Sequence, residues 1–181
     1  MRRWTSGCLV VAVVTAPIAG SAAYLATAPE PVEPPAHGST VVVLAANGYT
    51  LLPVTGTPAA GSEVSAGRVP QAAHGQAWSL WEAEQGSWLM ELNTGTNTGL
   101  MLDGTADGRL RLFDDETNDE PLTGYRWYWE PAGGGWFRLR AEIQMSKPNE
   151  GCLEVDPHLP RPRLTHCSDT ENQHWRSTPL P

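Results

Sequence analysis

The chain has 181 residues, of which 40% are hydrophobic, which fits one domain of ordinary size. It holds 18 Gly, 16 Pro and eight Trp but only two Phe, and this turn-rich composition favours a small all-β protein over a helical one. The net charge of −8 argues against nucleic acid or an anionic membrane surface as a partner, because phosphate binding needs a basic patch.

Residues 1–28 are typical of an export signal: Arg2 and Arg3 precede an apolar stretch, and small residues follow it. The alternative is an uncleaved membrane anchor, because residues 8–28 carry no charge and are long enough to span a bilayer. Pro17 inside this stretch favours cleavage. The sequence therefore predicts a secreted, extracellular protein, with a membrane-anchored domain outside the cell as the alternative.

The rest of the chain divides into a linker and a folded domain. Residues 29–37 are rich in proline and are expected to form an extended linker, and residues 38–181 should form the domain. Two cysteines remain after cleavage, Cys152 and Cys167. An even pair of cysteines in an exported chain is typical of a disulfide.

Three tryptophans recur at nearly even spacing: Trp78, Trp127 and Trp175 are 49 and 48 residues apart. Two positions before each stand Gln76, Tyr125 and Gln173. The flanks repeat as well, since each unit offers four short strands joined by polar or Gly-rich turns. One such unit cannot bury its own apolar face, but three around an axis can. The three tryptophans are therefore predicted to be core anchors, each worth about 3–5 kcal/mol against Ala.

In chain order, the predicted strands begin with VVVLAANGYTLLPV at 41–54 and SEVSAG at 62–67. The second unit runs from SLWEAEQGSWLMEL after Trp78 to TGLMLDG at 98–104 and GRLRLFDD at 108–115. The third runs from YWEPAGGGWFRLRA after Trp127 to EGCLEVD at 150–156 and PRLTHC at 162–167. Four strands in each of three units give a prediction of twelve.

The run CLEV…LTHC…NQHW at 152–175, with its three units each closing on Gln-x-Trp or a variant, resembles the ricin-B-type β-trefoil lectin family. The resemblance covers residues 38–181. It implies a β-trefoil of three pseudo-symmetric units, sugar binding without catalysis, and a disulfide between Cys152 and Cys167 within the third unit. The chain-entropy model gives a loop of 15 residues a stabilisation of ~3 kcal/mol.

The same resemblance defines the sugar site as an aromatic ring, a carboxylate and an Asn-Gln pair, which suit the C–H face and the hydroxyls of a sugar. The third unit keeps Asn172 and Gln173, but Glu154 replaces the Asp and Thr165 replaces the ring. This site is incomplete.

The second unit fails in the opposite way. It supplies Asp103 and Phe113, but Gly124 stands at the Asn position and Tyr125 at the Gln position. The simpler interpretations are that Asp103 is a turn-bonding acid, that Phe113 is a core side chain and that Asn172 bonds the local backbone. The first unit has Pro53 at the carboxylate position and is predicted to bind nothing.

An enzyme is not expected, because the chain lacks the common nucleophile, zinc and phosphate-binding motifs. No cofactor and no metal site is predicted. The prediction is a secreted carbohydrate-binding protein with degenerate sites, for galactose-, arabinose- or xylose-containing glycans. The alternative is a trefoil scaffold that has lost sugar binding and contacts a protein partner.

Overall fold

The structure is a computed structural model, and it describes residues 35–53, 57–68, 77–114, 124–143 and 150–179. The export signal predicted at 1–28 and most of the linker lie outside these ranges. The described residues form twelve strands: β1 Thr40–Ala45, β2 Thr50–Pro53, β3 Val64–Gly67, β4 Ala77–Glu82, β5 Trp88–Asn93, β6 Asn97–Gly104, β7 Leu110–Asp114, β8 Trp127–Gly133, β9 Trp136–Ala141, β10 Glu150–Asp156, β11 Leu159–His166 and β12 Trp175–Pro179. The predicted all-β fold is confirmed.

Six of the strands close into a barrel. Each neighbouring pair is antiparallel, and the order around the barrel is β1, β4, β5, β8, β9, β12 and back to β1. The seam between β1 and β12 runs from Val41 opposite Pro179 to Ala45 opposite Trp175. Closure leaves the barrel without an exposed strand edge.

The other six strands form three hairpins at one end of the barrel. They are β2–β3, β6–β7 and β10–β11, and each is joined by pairing to a barrel strand of its own unit. This arrangement repeats three times along the chain and makes the fold a β-trefoil. Within the described residues, no helix has the length and apolar character needed to cross a membrane.

Alternation along the barrel strands builds the core. In β1 and β9 every second residue is buried, as expected when successive side chains point to opposite faces of a sheet. The inward side chains of β9 are Phe137, Leu139 and Ala141, which are at most 2% exposed. They meet the three tryptophans of the repeat, Trp78, Trp127 and Trp175, each with 0% exposure.

Candidate functional site

Two of the repeat tryptophans fix equivalent positions in the second and third units. The indole N–H of Trp127 donates to the carbonyl of Leu102 at 3.0 Å, and that of Trp175 donates to the carbonyl of Leu153 at 2.9 Å. Leu102 and Leu153 are therefore equivalent. The next residues, Asp103 and Glu154, occupy the carboxylate position that the resemblance assigns to sugar binding.

In the second unit the carboxylate is already engaged. Asp103 is 5% exposed and accepts a hydrogen bond from Nε of Arg111, directly opposite on β7, at 2.9 Å. Burial raises the pKa of Asp103, and the hydrogen bond and charge of Arg111 only partly oppose this shift. The group that faces solvent here is the arginine, whose side chain is 45% exposed.

The predicted stacking ring of the second unit is also covered. Phe113 follows the core residue Leu112 on β7, so its side chain points to the other face of the strand. Even so, it is only 3% exposed. A sugar cannot lie on the ring of Phe113 in this conformation.

The missing amide of the second unit has a steric reason. The N–H of Gly104 donates to the carbonyl of Gly124 at 3.0 Å, which brings the two backbones together. A Cβ atom on Gly124 would overlap the carbonyl oxygen of Gly104 and would lie 2.7 Å from Oδ1 of Asp103. An asparagine therefore does not fit at the position where the resemblance expects one.

In the third unit the carboxylate is held from two sides. Oε1 of Glu154 accepts from Nη2 of Arg163 at 2.8 Å, and Oε2 accepts from the amide of Gln173 at 3.1 Å. The Glu154 side chain is 14% exposed and that of Arg163 is 54% exposed. An arginine therefore covers the carboxylate in both units, at the same place on the hairpin.

Gln173 has a structural role, because its side chain links three parts of the third unit by hydrogen bonds. Its Nε2 also donates to the carbonyl of His166 at 2.8 Å, and its Oε1 accepts from the N–H of Ser168 at 2.7 Å. These two residues flank Cys167, which forms a disulfide with Cys152. Since Gln173 is 1% exposed and both of its amide hydrogens are used, it positions Glu154 and cannot itself reach a ligand.

Asn172 remains partly exposed and has a partner that the sequence did not indicate. Nδ2 of Asn47, in the turn between β1 and β2, donates to Oδ1 of Asn172 at 3.3 Å and to the carbonyl of Val155 at 2.8 Å. Asn47 thus joins the third-unit site from the first unit. From the sequence, Asn47 and Gly48 can be identified as a turn but not as part of this site, because the two asparagines in contact are 125 positions apart.

The first unit has no carboxylate at this position. Leu51 is its buried equivalent of Leu102 and Leu153, so Leu52, and not Pro53 as predicted, occupies the carboxylate position. Leu52 lies opposite Ser65. Gln76 lies outside the described residues. The described residues also hold no group of three or more His, Cys, Asp or Glu side chains that could bind a metal ion.

Comparison with solved structures supports the trefoil fold. The designed three-fold symmetric protein ThreeFoil matches 78% of this chain and 99% of its own, at 19% identity and a TM-score of 0.62. A salivary protein from Culex quiquefasciatus of the Cysteine and Tryptophan-Rich family matches 83% and 98%, at 18% identity and a TM-score of 0.62. A mosquitocidal holotoxin matches 81% of this chain over 18% of its own, at 13% identity and a TM-score of 0.65. No protein-family model and no curated protein sequence matches the chain.

Proposed function

We propose that this chain is a secreted, non-catalytic carbohydrate-binding β-trefoil protein whose sugar site lies in the third unit. The observation that carries the proposal is the convergence of Glu154, Asn172 and Asn47, linked through Gln173 and the backbone of Val155. Carboxylate and amide groups held at fixed positions are what recognise neighbouring sugar hydroxyls.

The third unit is preferred over the second because its polar groups remain partly open. The carboxylate of Asp103 and the ring of Phe113 are at most 6% exposed, whereas Glu154 is 14% exposed and Asn172 is partly exposed. Thr165 stands where a ring would stack, so the affinity for a single sugar should be low. Useful avidity would then require several copies of the protein.

Secretion is proposed on the export signal and on the disulfide between Cys152 and Cys167, because such bonds persist in oxidising compartments. An uncleaved anchor remains the alternative. Analysis of exported protein by N-terminal sequencing decides between them: a mature chain beginning near residue 29 supports secretion, and one that retains residue 1 supports the anchor.

A glycan array of neutral galactose-, arabinose- and xylose-containing sugars tests the function with the exported protein. We expect binding that Asn172→Ala abolishes without lowering the melting temperature, since the Asn172 side chain bonds only Asn47 among the described contacts. Glu171→Ala, at the exposed neighbouring position, is the matched control and should bind normally. If the folded protein binds no glycan, the lectin function is wrong.

The second candidate is a scaffold for protein contacts, and two observations favour it. Arg111 and Arg163 already occupy the carboxylates that a sugar would need. In addition, Leu159, 63% exposed, lies at the rim of a depression of about 1030 Å³ between the three hairpins. If no glycan binds, chemical cross-linking of the exported protein can capture a protein partner. Loss of that cross-link in Leu159→Asp would show that the partner uses this depression.

A further inference from the structure

The outer face of β8, β9 and the start of β12 carries a row of arginines, Arg126, Arg138, Arg140 and Arg176, which we call the arginine stripe. It holds four of the chain's twelve basic residues, although the chain is acidic overall. We propose that the arginine stripe binds a polysaccharide carrying spaced carboxylates, of the uronic acid class. The ligand class rests on the proposed carbohydrate-binding function, whereas the position of the surface does not.

Strand register makes the stripe continuous. Tyr128 lies opposite Arg140 and Glu130 lies opposite Arg138 on β8 and β9, and the inward residues between them belong to the core. Arg126 precedes β8 and receives a backbone hydrogen bond from Glu142 at 2.7 Å, in register with the next row. Successive rows along a strand are spaced by roughly 7 Å, since alternate residues share a face. The cations therefore follow a line rather than a single point.

Aromatic rings hold three of the four guanidinium groups. The guanidinium carbon of Arg140 lies 4.7 Å from the ring centre of Tyr128, and that of Arg176 lies 5.0 Å from the ring centre of Trp136. Arg126 lies 5.8 Å from the ring centre of its neighbour Tyr125. Contact with a ring restricts the guanidinium, so less freedom is lost when it binds a carboxylate through two hydrogen bonds.

Three carboxylates of the chain partly neutralise the stripe. Glu130 accepts from Nε of Arg140 at 2.6 Å and lies 3.8 Å from Nη2 of Arg138, and Glu142 lies 3.7 Å from Arg126. Glu84 also acts on Arg126 through its charge. Because the side chains that form the three ion pairs with Glu130 and Glu142 are between 28% and 44% exposed, these pairs are weak and can exchange with a ligand carboxylate.

The charge balance favours a uronate polymer over nucleic acid. Four guanidiniums against three carboxylates give too small an excess to hold duplex nucleic acid, which carries one charge about every 1.7 Å, near a protein of net charge −8. Spaced carboxylates require only short-range recognition by individual arginine forks, which acts within the Debye length of about 8 Å at physiological ionic strength. The partly exposed rings of Tyr128 and Trp136 along the stripe also suit the C–H faces of an extended sugar chain.

The test measures binding of the exported protein to polygalacturonate and to its fully methyl-esterified form at physiological ionic strength. We expect binding only to the acid form. The double variant Arg140→Ala, Arg176→Ala should weaken it at least tenfold, and Arg140→Lys should weaken it severalfold, because lysine keeps the charge but loses the fork. Glu130→Gln should strengthen binding, since it releases Arg138 and Arg140.

Arg161→Ala is the matched control, because Arg161 is exposed on the hairpin end of the molecule, away from β8 and β9. It should leave binding unchanged, and melting temperatures of all variants verify folding. Equal binding of the methyl ester, of single-stranded DNA or of polyglutamate would overturn the proposal, as would an unaffected double variant. Neutral glycans could still bind through Asn172 if the arginine stripe bound no polyuronate. The proposed sugar site and the proposed arginine stripe can therefore fail separately.

Discussion

Gly124 and Gly104 lie with their backbones in direct contact, joined by a 3.0 Å hydrogen bond from the N–H of Gly104 to the carbonyl of Gly124. Gly124→Asn would place an amide at the position where the resemblance to ricin-B-type lectins expects one, yet we expect it to destabilise the protein and create no sugar site. Its Cβ must displace the Gly104 carbonyl, and overpacking of this kind costs about 1–3 kcal/mol or more. Urea unfolding measures the loss.

Gly48→Asn is the control for this substitution. Gly48 has open space around its Cβ position and a positive φ of 83°, which asparagine tolerates better than most residues. The free energy of unfolding of the Gly48→Asn variant should differ from that of the wild type by less than about 1 kcal/mol. Equal losses for the two variants would show that the contact between Gly124 and Gly104 is not the cause.

The buried carboxylate of Asp103 predicts a specific pH dependence. Its pKa in the folded chain is raised above the ordinary value of 3.8, so the folded chain holds this proton more tightly than the unfolded chain does. The contribution of Asp103 to the free energy of unfolding therefore falls as the pH rises from below 3.8 through the raised pKa of the folded chain. It is recovered on acidification. In Asp103→Asn this dependence should disappear.

Unfolding in urea between pH 3 and pH 7 checks the sign. The stability of the wild type relative to Asp103→Asn should increase as the pH falls, and at pH 7 the variant should match or exceed the wild type within roughly 1 kcal/mol, since its ion pair with Arg111 is half-exposed. A relative stability that decreases on acidification would mean that Arg111 outweighs burial.

Phe113→Ala separates a packing role from a stacking role. Because the side chain is 3% exposed, we expect a loss of about 3–5 kcal/mol in the free energy of unfolding. Thr165→Ala, at the equivalent position of the third unit, should cost less than 1 kcal/mol or so, since Thr165 is partly exposed. An unchanged melting temperature for Phe113→Ala, together with lost glycan binding, would instead support the stacking role.

Gln173→Ala should reduce stability by about 2–4 kcal/mol, because three hydrogen bonds around Cys167 and Glu154 are lost and the site is buried. Asn172→Ala, one residue earlier, should change stability by less than about 1 kcal/mol. Thermal unfolding under identical buffers compares the two. If Asn172→Ala proved the more damaging, the assignment of Gln173 as the structural residue of the pair would be wrong.

The fold could be predicted from the sequence because the residues that repeat are large side chains buried in the core. Trp127 and Trp175 stand at the ends of their units, and each donates its indole hydrogen to the leucine of the hairpin in the same unit. Spacing between such residues survives in the sequence even where the turns differ. The twelve predicted strands are confirmed within the described residues.

The state of the sugar site could not be predicted in the same way. That Arg111 and Arg163 cover the carboxylates follows from cross-strand register and rotamers, which a sequence motif does not encode. The contact of Asn47 with Asn172 joins two distant units. The overall charge likewise concealed the arginine stripe, because a net value says nothing about how charge is distributed over a surface.

The pairing of β1 with β12 sets the order in which this molecule can be completed. Val41 and Val43 find their strand partners in Pro179 and Ser177, at the far end of the described chain. Non-local pairing of this kind is slow, and although β1 also pairs with β2 and β4, its pairing with β12 waits until that strand has been synthesised. The barrel therefore cannot close before β12 has been synthesised, and until then part of β1 is left open to pairing with other strands.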